Sequence, residues 1–449
     1  MRKYPKYKET EVIWVKTLPE TWKELRVKYF SIFRNGYSFK GTDFYDDEKY
    51  PVVRIGDIQD GKVNLSDAKK VSKKIYEEAK KFSNKRGDIL LALTGATIGK
   101  SAIYDTDEIS LLNQRVAALR PNKKADIDFL KYLIEAPEFK TLIDFECYGG
   151  AQENIGKGQI TSAKFPIPSL PEQHAIVRFL DYKTGQIDSF IANRQKQIEL
   201  LKEQKAGIIN KAVTKGINPN AKMKDSGIEW IGEVPEHWEI SKIKHTSYVK
   251  GRIGWDGLRS DEFFENEYAF LVTGTDFING KVNWKTCYQI TKDRYLQDKH
   301  IQLKEDDLLI TKDGTIGKTA VVKELNGFAS LNSGVFVVRP LRKYISDYLY
   351  FILNSNVFTQ FINITTTGTT ILHLYQNIFE IFEFTVPPID EQQAIVDSIN
   401  KESEIINTLI SKYQKQIDLM QEYRTSLISQ AVTGKIDVRE WEPKKEQTA

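Results

Sequence analysis

Two glycine-containing segments are the first candidates for chemistry, because glycine-rich loops that end in lysine can bind phosphate. Residues 95–101 read Gly-Ala-Thr-Ile-Gly-Lys-Ser, and residues 314–319 read Gly-Thr-Ile-Gly-Lys-Thr. The phosphate-binding P-loop has about four residues between its glycines, whereas these segments have three and two. A loop of altered length cannot direct its amides in the same way, so a tight turn between strands is the simpler interpretation. A degenerate P-loop that binds a nucleotide through Lys100 or Lys318 stays open as an alternative.

Other catalytic signatures are missing from the sequence. There is no Asn-Pro-Pro-Tyr or Asp-Pro-Pro-Tyr tetrapeptide of an amino-methyltransferase, and no Gly-x-Gly-x-x-Gly follows a predicted strand. The five histidines show no metal-ligand spacing. The two cysteines, Cys147 and Cys287, lie at non-equivalent places and predict no disulfide framework. We therefore expect a chain without catalysis, cofactor or metal of its own.

Binding is the remaining chemistry, and an internal repeat indicates where to look for it. Shifted by 219 positions, residues 168–217 align with residues 387–436 at 19 identities in 50 positions. Upstream, short anchors such as residues 61–64 and 280–283, both Gly-Lys-Val-Asn, also match. Between the anchors the two copies differ almost freely. Such a pattern predicts two modules that do the same job on different targets, related by a pseudo-two-fold axis, and duplex DNA is the commonest ligand with that symmetry.

Polar and basic residues in the divergent segments are the candidate DNA contacts, because direct readout of base edges requires Arg, Lys, Asn, Gln or Ser on accessible loops. In the first copy these are Arg34, Asn35, Tyr37, Lys40, Gln114, Arg115, Gln152 and Asn154. In the second copy they are Lys250, Arg252, Trp255, Arg259, Lys312, Ser333 and Thr367. The net charge of +4 is too small to indicate nucleic acid alone. Lysine-rich stretches at matching places, residues 62–86 and 281–304, are suited to phosphate contact.

Each copy reads as a mixed domain followed by a long helix, which gives an α+β fold. Residues 50–55, 88–93 and 116–119 are predicted strands, and Asp60-Gly61 and Asn279-Gly280 are hairpin-type dipeptides. Apolar residues at three-to-four spacing predict one helix over residues 126–144 and its counterpart around residues 348–361.

The two long helices carry narrow apolar stripes with polar flanks, which is typical of a coiled-coil seam. The seam residues are Ile187, Ile191, Ile198, Leu201 and Ile208 in the first helix, and Ile406, Ile410, Ile417, Met420 and Leu427 in the second. We expect the helices to pair with each other, with intermolecular pairing as the alternative. Lys205 and Arg424 occupy the same seam position and would face each other in a parallel pair. An antiparallel coiled coil is therefore predicted.

These patterns divide the chain into four parts. The first target domain covers residues 1–170, the first long helix 171–215, the second target domain 216–389, and the second helix with its tail 390–449. The basic start lacks the apolar core of a signal peptide, and no stretch approaches about 20 consecutive apolar residues. Together with the low cysteine content, this favours a soluble, cytoplasmic protein without contact to membranes.

The chain closely resembles the specificity subunit of type I restriction-modification systems over essentially its whole length. The resemblance is carried by Asp-Ser-Gly-Ile-Glu-Trp-Ile-Gly at residues 225–232, by Pro-Glu-His-Trp at 235–238, and by Glu-Gln-x-Ala-Ile-Val at 172–177 and 391–396. Gln-Lys-Gln-Ile and Ala-Val-Thr recur in both long helices. The opening of the first copy departs from the family pattern, because Trp14-Val15-Lys16 stands where the fuller form has Trp-Ile-Gly.

The resemblance implies that each variable domain is a target recognition domain for one half of a bipartite DNA site. It implies that the paired helices hold the halves apart and dock modification subunits, expected to number two, which bind S-adenosylmethionine and methylate adenine. Restriction subunits would add ATP- and Mg²⁺-dependent nuclease and translocase activities. The seam from Ile187 to Ala212 would span about 39 Å, near the roughly 34 Å of one DNA turn. A coiled-coil scaffold without a nucleic-acid role is the other alternative. The recognised bases and the spacer length cannot be read from the residues.

Overall fold

The computed structural model describes residues 2–12, 14–59, 61–95, 98–147, 155–252, 258–341, 343–365 and 373–443. Two compact units divide the chain, residues 1–195 with 415–449 (the first unit) and residues 196–414 (the second unit). This division differs from the four parts expected from the sequence, because each unit includes one half of each long helix.

Short strands and helices make up the target domain of the first unit, and the long helix α5 follows them. The strands are β1 Tyr7–Glu9, β2 Thr17–Pro19, β3 Lys23–Arg26, β4 Ser31–Asn35, β5 Tyr50–Val53, β6 Ile58–Gln59, β7 Lys62–Val63, β8 Lys70–Val71, β9 Asp88–Ala92, β10 Ser101–Tyr104, β11 Leu111–Leu112, β12 Val116–Pro121 and β13 Lys164–Ile167. The helices are α1 Lys73–Ala79, α2 Ile127–Glu135, α3 Pro137–Cys147, α4 Lys157–Ser162 and α5 Leu170–Lys215.

The second target domain has the same order of strands, with a short additional α-helix between its third and fourth strands, and the long helix α11 follows it. Its strands are β14 Met223–Asp225, β15 Glu233–Pro235, β16 Glu239–Lys242, β17 Ser247–Gly251, β18 Ala269–Val272, β19 Phe277–Ile278, β20 Lys281–Val282, β21 Tyr288–Ile290, β22 Leu308–Thr311, β23 Thr319–Val321, β24 Phe328–Leu331, β25 Val335–Pro340 and β26 Glu383–Val386. Its helices are α6 Ile243–Thr246, α7 Lys292–Leu296, α8 Ser346–Leu353, α9 Asn356–Thr365, α10 Gln376–Glu380 and α11 Ile389–Val432.

Four strands of the main sheet and a three-stranded sheet have the same order in both units, which confirms the internal repeat. The main sheet has the strand order β10-β9-β12-β4 in the first unit, and the second contains the equivalent order β23-β22-β25-β17. A three-stranded sheet, β11-β5-β8, likewise corresponds to β24-β18-β21. The predicted strands therefore exist, and they form an α+β fold as expected.

Asn279-Gly280 forms the predicted hairpin turn, whereas Asp60 of the other dipeptide lies outside the described residues. Strands β19 and β20 pair antiparallel around Asn279 and Gly280, whose φ angles are 50° and 77°. Two consecutive residues with positive φ are the signature of a type I′ turn, and the Asn-Gly pair tolerates it at little steric cost.

The single helix predicted over residues 126–144 is wrong in one respect. It is two helices, α2 and α3, with Ala136 between them in an extended conformation at φ −65° and ψ 142°. Proline at position 137 causes the break, because its ring disfavours the helical conformation in the preceding residue. In the second unit, α8 and α9 are also separate, and the Ser355 hydroxyl accepts a hydrogen bond from the Val357 amide at 3.2 Å.

The Glu-Gln pair at the start of each long helix has a structural role. Gln173 is fully buried, and its amide group donates to the carbonyls of Lys124 and Pro168. Gln392 is equally buried and donates to the carbonyls of Lys343 and Pro387. Each glutamine thus satisfies two backbone carbonyls and connects the long helix to the segment after the main sheet.

Opposite halves of the two long helices pack together within each unit, which confirms the antiparallel pairing. In the first unit, Ile187 of the N-terminal half of α5 shares a core with Leu427 of the C-terminal half of α11. In the second unit, Val213 near the end of α5 shares a core with Ile395 near the start of α11.

The predicted seam residues are all buried or half-buried. Ile187, Ile198, Ile406, Ile417 and Leu427 are buried, and Ile191, Leu201, Ile208, Ile410 and Met420 are half-buried. The two basic seam residues find separate partners, as antiparallel pairing requires. Lys205 donates to Asn407 at 3.1 Å, and Arg424 donates to Asp188 at 3.1 Å.

Candidate nucleic-acid interface

Several divergent segments of the first unit meet at one end of its main sheet. Strand β4 ends where β12 begins, because Asn35 pairs with Ala117. Strand β9 ends at the same place, since Ala92 pairs with Val116. The segments after β4, between β9 and β10, and before β12 therefore share an edge. We call residues 35–40, 93–95, 98–100 and 113–115 the first loop end.

Backbone hydrogen bonds connect the segments of the first loop end. The Gln114 amide donates to the Tyr37 carbonyl at 2.9 Å, and the Leu93 amide donates to the Arg115 carbonyl at 3.0 Å. Gly36 allows the close crossing, because a Cβ there would lie 2.0 Å from the Asn113 carbonyl oxygen. Main-chain contacts thus hold these segments together, so their side chains can vary without changing the backbone.

Four predicted DNA contacts are exposed at the first loop end, and a fifth is half-buried. Asn35, Lys40, Gln114 and Arg115 are exposed. Tyr37 packs its ring against Phe39 and Phe82 at centroid distances of 4.9 and 5.4 Å. The structure therefore brings these candidates together, with Tyr37 as the side chain that anchors the segment to the core.

Arg34 is a correction to the sequence-based set, because its guanidinium is engaged inside the domain. It donates to the Ser83 carbonyl at 2.8 Å and forms an ion pair with the fully buried Asp88. Arg120 forms a second ion pair with the same carboxylate at 2.6 Å. Burial lowers the pKa of Arg34, and the Asp88 charge opposes that effect. Arg34 therefore links β4 to β9, and its guanidinium is engaged by protein groups.

The second unit has an equivalent edge. Strand β17 ends opposite the start of β25, where Gly251 pairs with Phe336, and β22 ends at the same place, where Thr311 pairs with Val335. The Lys312 amide donates to the Gly334 carbonyl at 2.9 Å, and the Leu374 amide donates to the Lys312 carbonyl at 2.7 Å. We call residues 250–251, 312–318, 332–334 and 373–375 the second loop end.

The predicted DNA contacts of the second unit lie in different places. Lys250 is exposed at the second loop end, whereas Lys312 and Ser333 are half-buried there. The Lys312 ammonium lies 5.3 Å above the Phe336 ring. Arg259 is exposed in the connection between β17 and β18. Four further candidates from both copies lie outside the described residues: Gln152, Asn154, Trp255 and Thr367.

Arg252 is the second correction. Its residue is 2% exposed, and its guanidinium donates to the Leu331 carbonyl at 2.9 Å and to the Ser330 hydroxyl at 3.3 Å. A long charged side chain is seldom buried without such partners. The residue type predicted surface chemistry, whereas the fold uses Arg252 to satisfy the edge of β24.

Three residues of the second loop end were missed by the sequence reasoning. The Asp313 carboxylate accepts a hydrogen bond from the His373 ring, and the exposed Tyr375 packs against His373. The repeat itself could have revealed His373, because Asn154 was a candidate and residue 373 lies 219 positions further on.

The basic stretch of the first unit is largely exposed. Lys62, Lys73, Lys74, Lys80, Lys81, Lys85 and Arg86 face solvent. Acidic neighbours pair with two of them, since Lys80 contacts Glu77 and Arg86 contacts Asp107, both at 3.0 Å. Phe82 packs on Tyr37, so the lysines beside it lie near the first loop end. Phosphate contact by this stretch stays a prediction.

The P-loop alternative does not fit the geometry. A phosphate-binding loop connects a strand to the N-terminus of a helix, whose amides face the anion. Here residues 95–101 connect β9 to the antiparallel strand β10, and residues 314–319 likewise connect β22 to β23. The Lys318 ammonium donates to the Gly274 carbonyl at 2.9 Å. These loops are turns of a sheet.

In the described part of the chain, no cluster of three or more His, Cys, Asp or Glu residues could hold a metal ion. Within the same residues, no helix combines the length and the apolar character needed to cross a membrane.

The chain is similar in sequence to known proteins. The model of the family described as type I restriction modification DNA specificity domain matches residues 19–200 and 235–419. A similar protein is the type I restriction enzyme MjaVIII specificity subunit of Methanocaldococcus jannaschii. It is 24% identical over 435 residues, which are 94% of each chain.

Two solved structures share the fold. One is a chain from a study of complex assembly and conformational transition of the type I R-M system, with a TM-score of 0.68. It covers 93% of this chain and 99% of its own length at 15% identity. The other is the HsdS subunit of Thermoanaerobacter tengcongensis, with a TM-score of 0.50, 15% identity, and coverage of 93% and 98%. The two family matches fall on the two repeats and together include most of the sequence, so this chain belongs to the family of type I restriction-modification specificity subunits.

Proposed function

We propose that each unit reads one half of a bipartite, asymmetric DNA site through its loop end. The observation that carries this proposal is the pair of equivalent loop ends: the same backbone contacts recur in both units, while the side chains on them differ. A constant frame with variable polar side chains is what two readers of different base sequences require. The exposed lysines of residues 62–86 and 281–304 would add contacts to phosphates.

The long helices would fix the distance between the two half-sites. A helix rises about 1.5 Å per residue, and a buried apolar seam makes a helix pair stiff. We propose that the same helices dock two modification subunits, which bind S-adenosylmethionine and methylate adenine. Restriction subunits would join this complex and use ATP and Mg²⁺ for translocation and cleavage. The chain itself would be non-catalytic.

The central experiment is sequencing of methylated adenines in DNA exposed to the assembled methylase. The expected result is a single motif with two specific halves separated by unspecified bases. A double variant, Gln114→Ala with Arg115→Ala, should relax the base preference in one half and leave the other half unchanged. A continuous motif, or a change in both halves, would contradict the proposal.

Salt dependence tests the scaffold alternative. Affinity of the complex for its DNA site should fall steeply with salt, by about 10³-fold or more between 50 and 200 mM if six or more phosphates are contacted. A scaffold without a role in DNA binding would show no such loss. Purified specificity subunit alone should show no methylase, nuclease or ATPase turnover, and measurable turnover by the isolated chain would refute a purely recognising role.

A further inference from the structure

The side chains of Asp313, His373 and Tyr375 form a group at the second loop end. Three backbone segments lie side by side there: Ser333-Gly334, Lys312-Asp313 and His373-Leu374. They are joined by the hydrogen bonds from Lys312 to Gly334 and from Leu374 to Lys312. Asp313 and His373 also form an antiparallel bridge. This backbone holds their side chains at the edge of the sheet.

His373 is oriented from two sides. The Asp313 carboxylate accepts a hydrogen bond from the Nδ1 atom of the ring. Tyr375 meets the imidazole edge to face, at a centroid distance of 4.7 Å and an angle of 64°. The side chain of His373 is 32% exposed, and Tyr375 is 62% exposed. The ring is therefore held in one direction by two neighbours and remains partly open to solvent.

The equivalent place in the first unit carries different chemistry. The Ile155 amide donates to the Leu93 carbonyl at 3.0 Å, as the Leu374 amide donates to the Lys312 carbonyl. By this correspondence Thr94 stands for Asp313, and in the sequence Asn154 stands for His373. In the alignment of the two copies, this pair of positions is thus ionisable in the second repeat and neutral in the first. Side chains that vary on a constant backbone are what base discrimination needs.

We propose that His373 contacts a base edge in the half-site read by the second unit, with Asp313 as its positioning residue. This inference rests on the proposed function. In the neutral imidazole, the hydrogen bond to Asp313 keeps the proton on Nδ1 and leaves Nε2 as an acceptor. An acceptor in the major groove suits the exocyclic amino group of adenine or cytosine and is mismatched with the carbonyl of guanine or thymine.

The test is methylated-adenine sequencing with the assembled methylase carrying His373→Ala. The expected result is a loss of discrimination of about tenfold at one base pair of one half-site, with the other half-site unchanged. His373→Asn introduces the side chain found at the equivalent position of the first copy. It should alter or weaken the preference at the same base pair. Asp313→Ala should reduce discrimination at that base pair. Asp313→Asn can still accept a hydrogen bond from Nδ1 and should therefore retain the discrimination.

The matched control is His245→Ala. His245 is exposed in α6 of the same unit, and α6 directly precedes β17, whose first residue Ser247 pairs with Pro340 at the other end of β25. This variant should keep the wild-type motif. Unchanged preference in the His373→Ala complex at every base pair would overturn the inference while leaving the proposed function intact. Absence of any bipartite motif with the wild-type complex would instead defeat the proposed function.

A variant that no longer methylates is still informative. Thermal unfolding and co-purification with the modification subunits would show whether His373→Ala folds and assembles. Binding of that complex to wild-type and single-base-substituted duplexes then measures discrimination directly. Equal discrimination by the variant and wild-type complexes would overturn the inference, and a loss confined to one base pair would support it.

Discussion

Residues of the same type have different roles in this chain: some are buried and structural, and others are exposed at a loop end. Gln173 and Gln392 do the same structural work in both repeats, and each is fully buried. Gln114 is exposed on a turn whose backbone is held by other residues. A polar side chain in a polar-rich segment is therefore a site residue only when the fold leaves it without a buried partner.

A matched pair of arginines tests this distinction. Arg34→Ala removes an ion pair to the buried Asp88 and should lower the free energy of unfolding by about 1–3 kcal/mol. The bases that are methylated should not change, because the guanidinium is engaged by Asp88 and the Ser83 carbonyl. Arg115→Ala removes an exposed group and should change stability by less than about 0.5 kcal/mol.

Chemical denaturation and methylated-adenine sequencing of both variants check the prediction. Arg115→Ala should weaken DNA binding or relax one half of the motif. A stable Arg34→Ala protein with altered base preference would show that Arg34 contacts DNA after all.

At the scale of elements, the long helices gain their stability from different neighbours along their length. The C-terminal half of α11 packs Leu427, Ile428 and Ala431 into the core of the first unit. The N-terminal half of the same helix packs Ile395, Val396 and Ile399 into the core of the second unit. Neither helix is a free strut, because each end is part of a domain core.

Two leucines of α11 measure how much this packing contributes. Leu427 is 1% exposed and Leu419 is 52% exposed. Leu427→Ala should destabilise the protein by about 2–5 kcal/mol, since it removes apolar contacts and leaves a cavity. Leu419→Ala should cost less than about 0.5 kcal/mol. Urea unfolding of the two variants compares them, and similar losses in both would contradict the assigned seam.

At the scale of the whole molecule, antiparallel pairing changes how a spacer should be engineered. Each half of α5 packs against the opposite half of α11, so a deletion in one helix alone would shift the register of the other half. A spacer change therefore requires matched deletions in both helices.

Removing seven residues from each helix near positions 195 and 414 should shorten the pair by about 10 Å. We expect the preferred spacer in the DNA site to shrink by about three base pairs, at about 3.4 Å per base pair, with both half-site sequences unchanged. Methylated-adenine sequencing reads the spacer. A deletion in α5 alone should destabilise the protein, and an unchanged spacer after the matched deletion would defeat the role of the helices in spacing.

Much of the architecture could be predicted because its signals are local or periodic. The repeat, the apolar seams and the Asn279-Gly280 turn depend on residues near one another in the chain or on regular spacing. The break at Pro137 was equally local and was overlooked. The antiparallel direction followed from two like charges, Lys205 and Arg424, whose repulsion a parallel pair could not avoid.

The sequence by itself determined that this chain is a duplicated α+β protein of the specificity-subunit family with two seam-bearing helices. Only the tertiary structure decided which polar side chains are available at the loop ends. Arg34 is bound by Asp88, and Arg252 is bound by the carbonyl of Leu331. Asp313, in contrast, orients the ring of His373. Those partners lie from roughly 50 to 80 residues away along the chain. A charged side chain is buried or exposed according to partners that folding brings to it, and no local pattern encodes them.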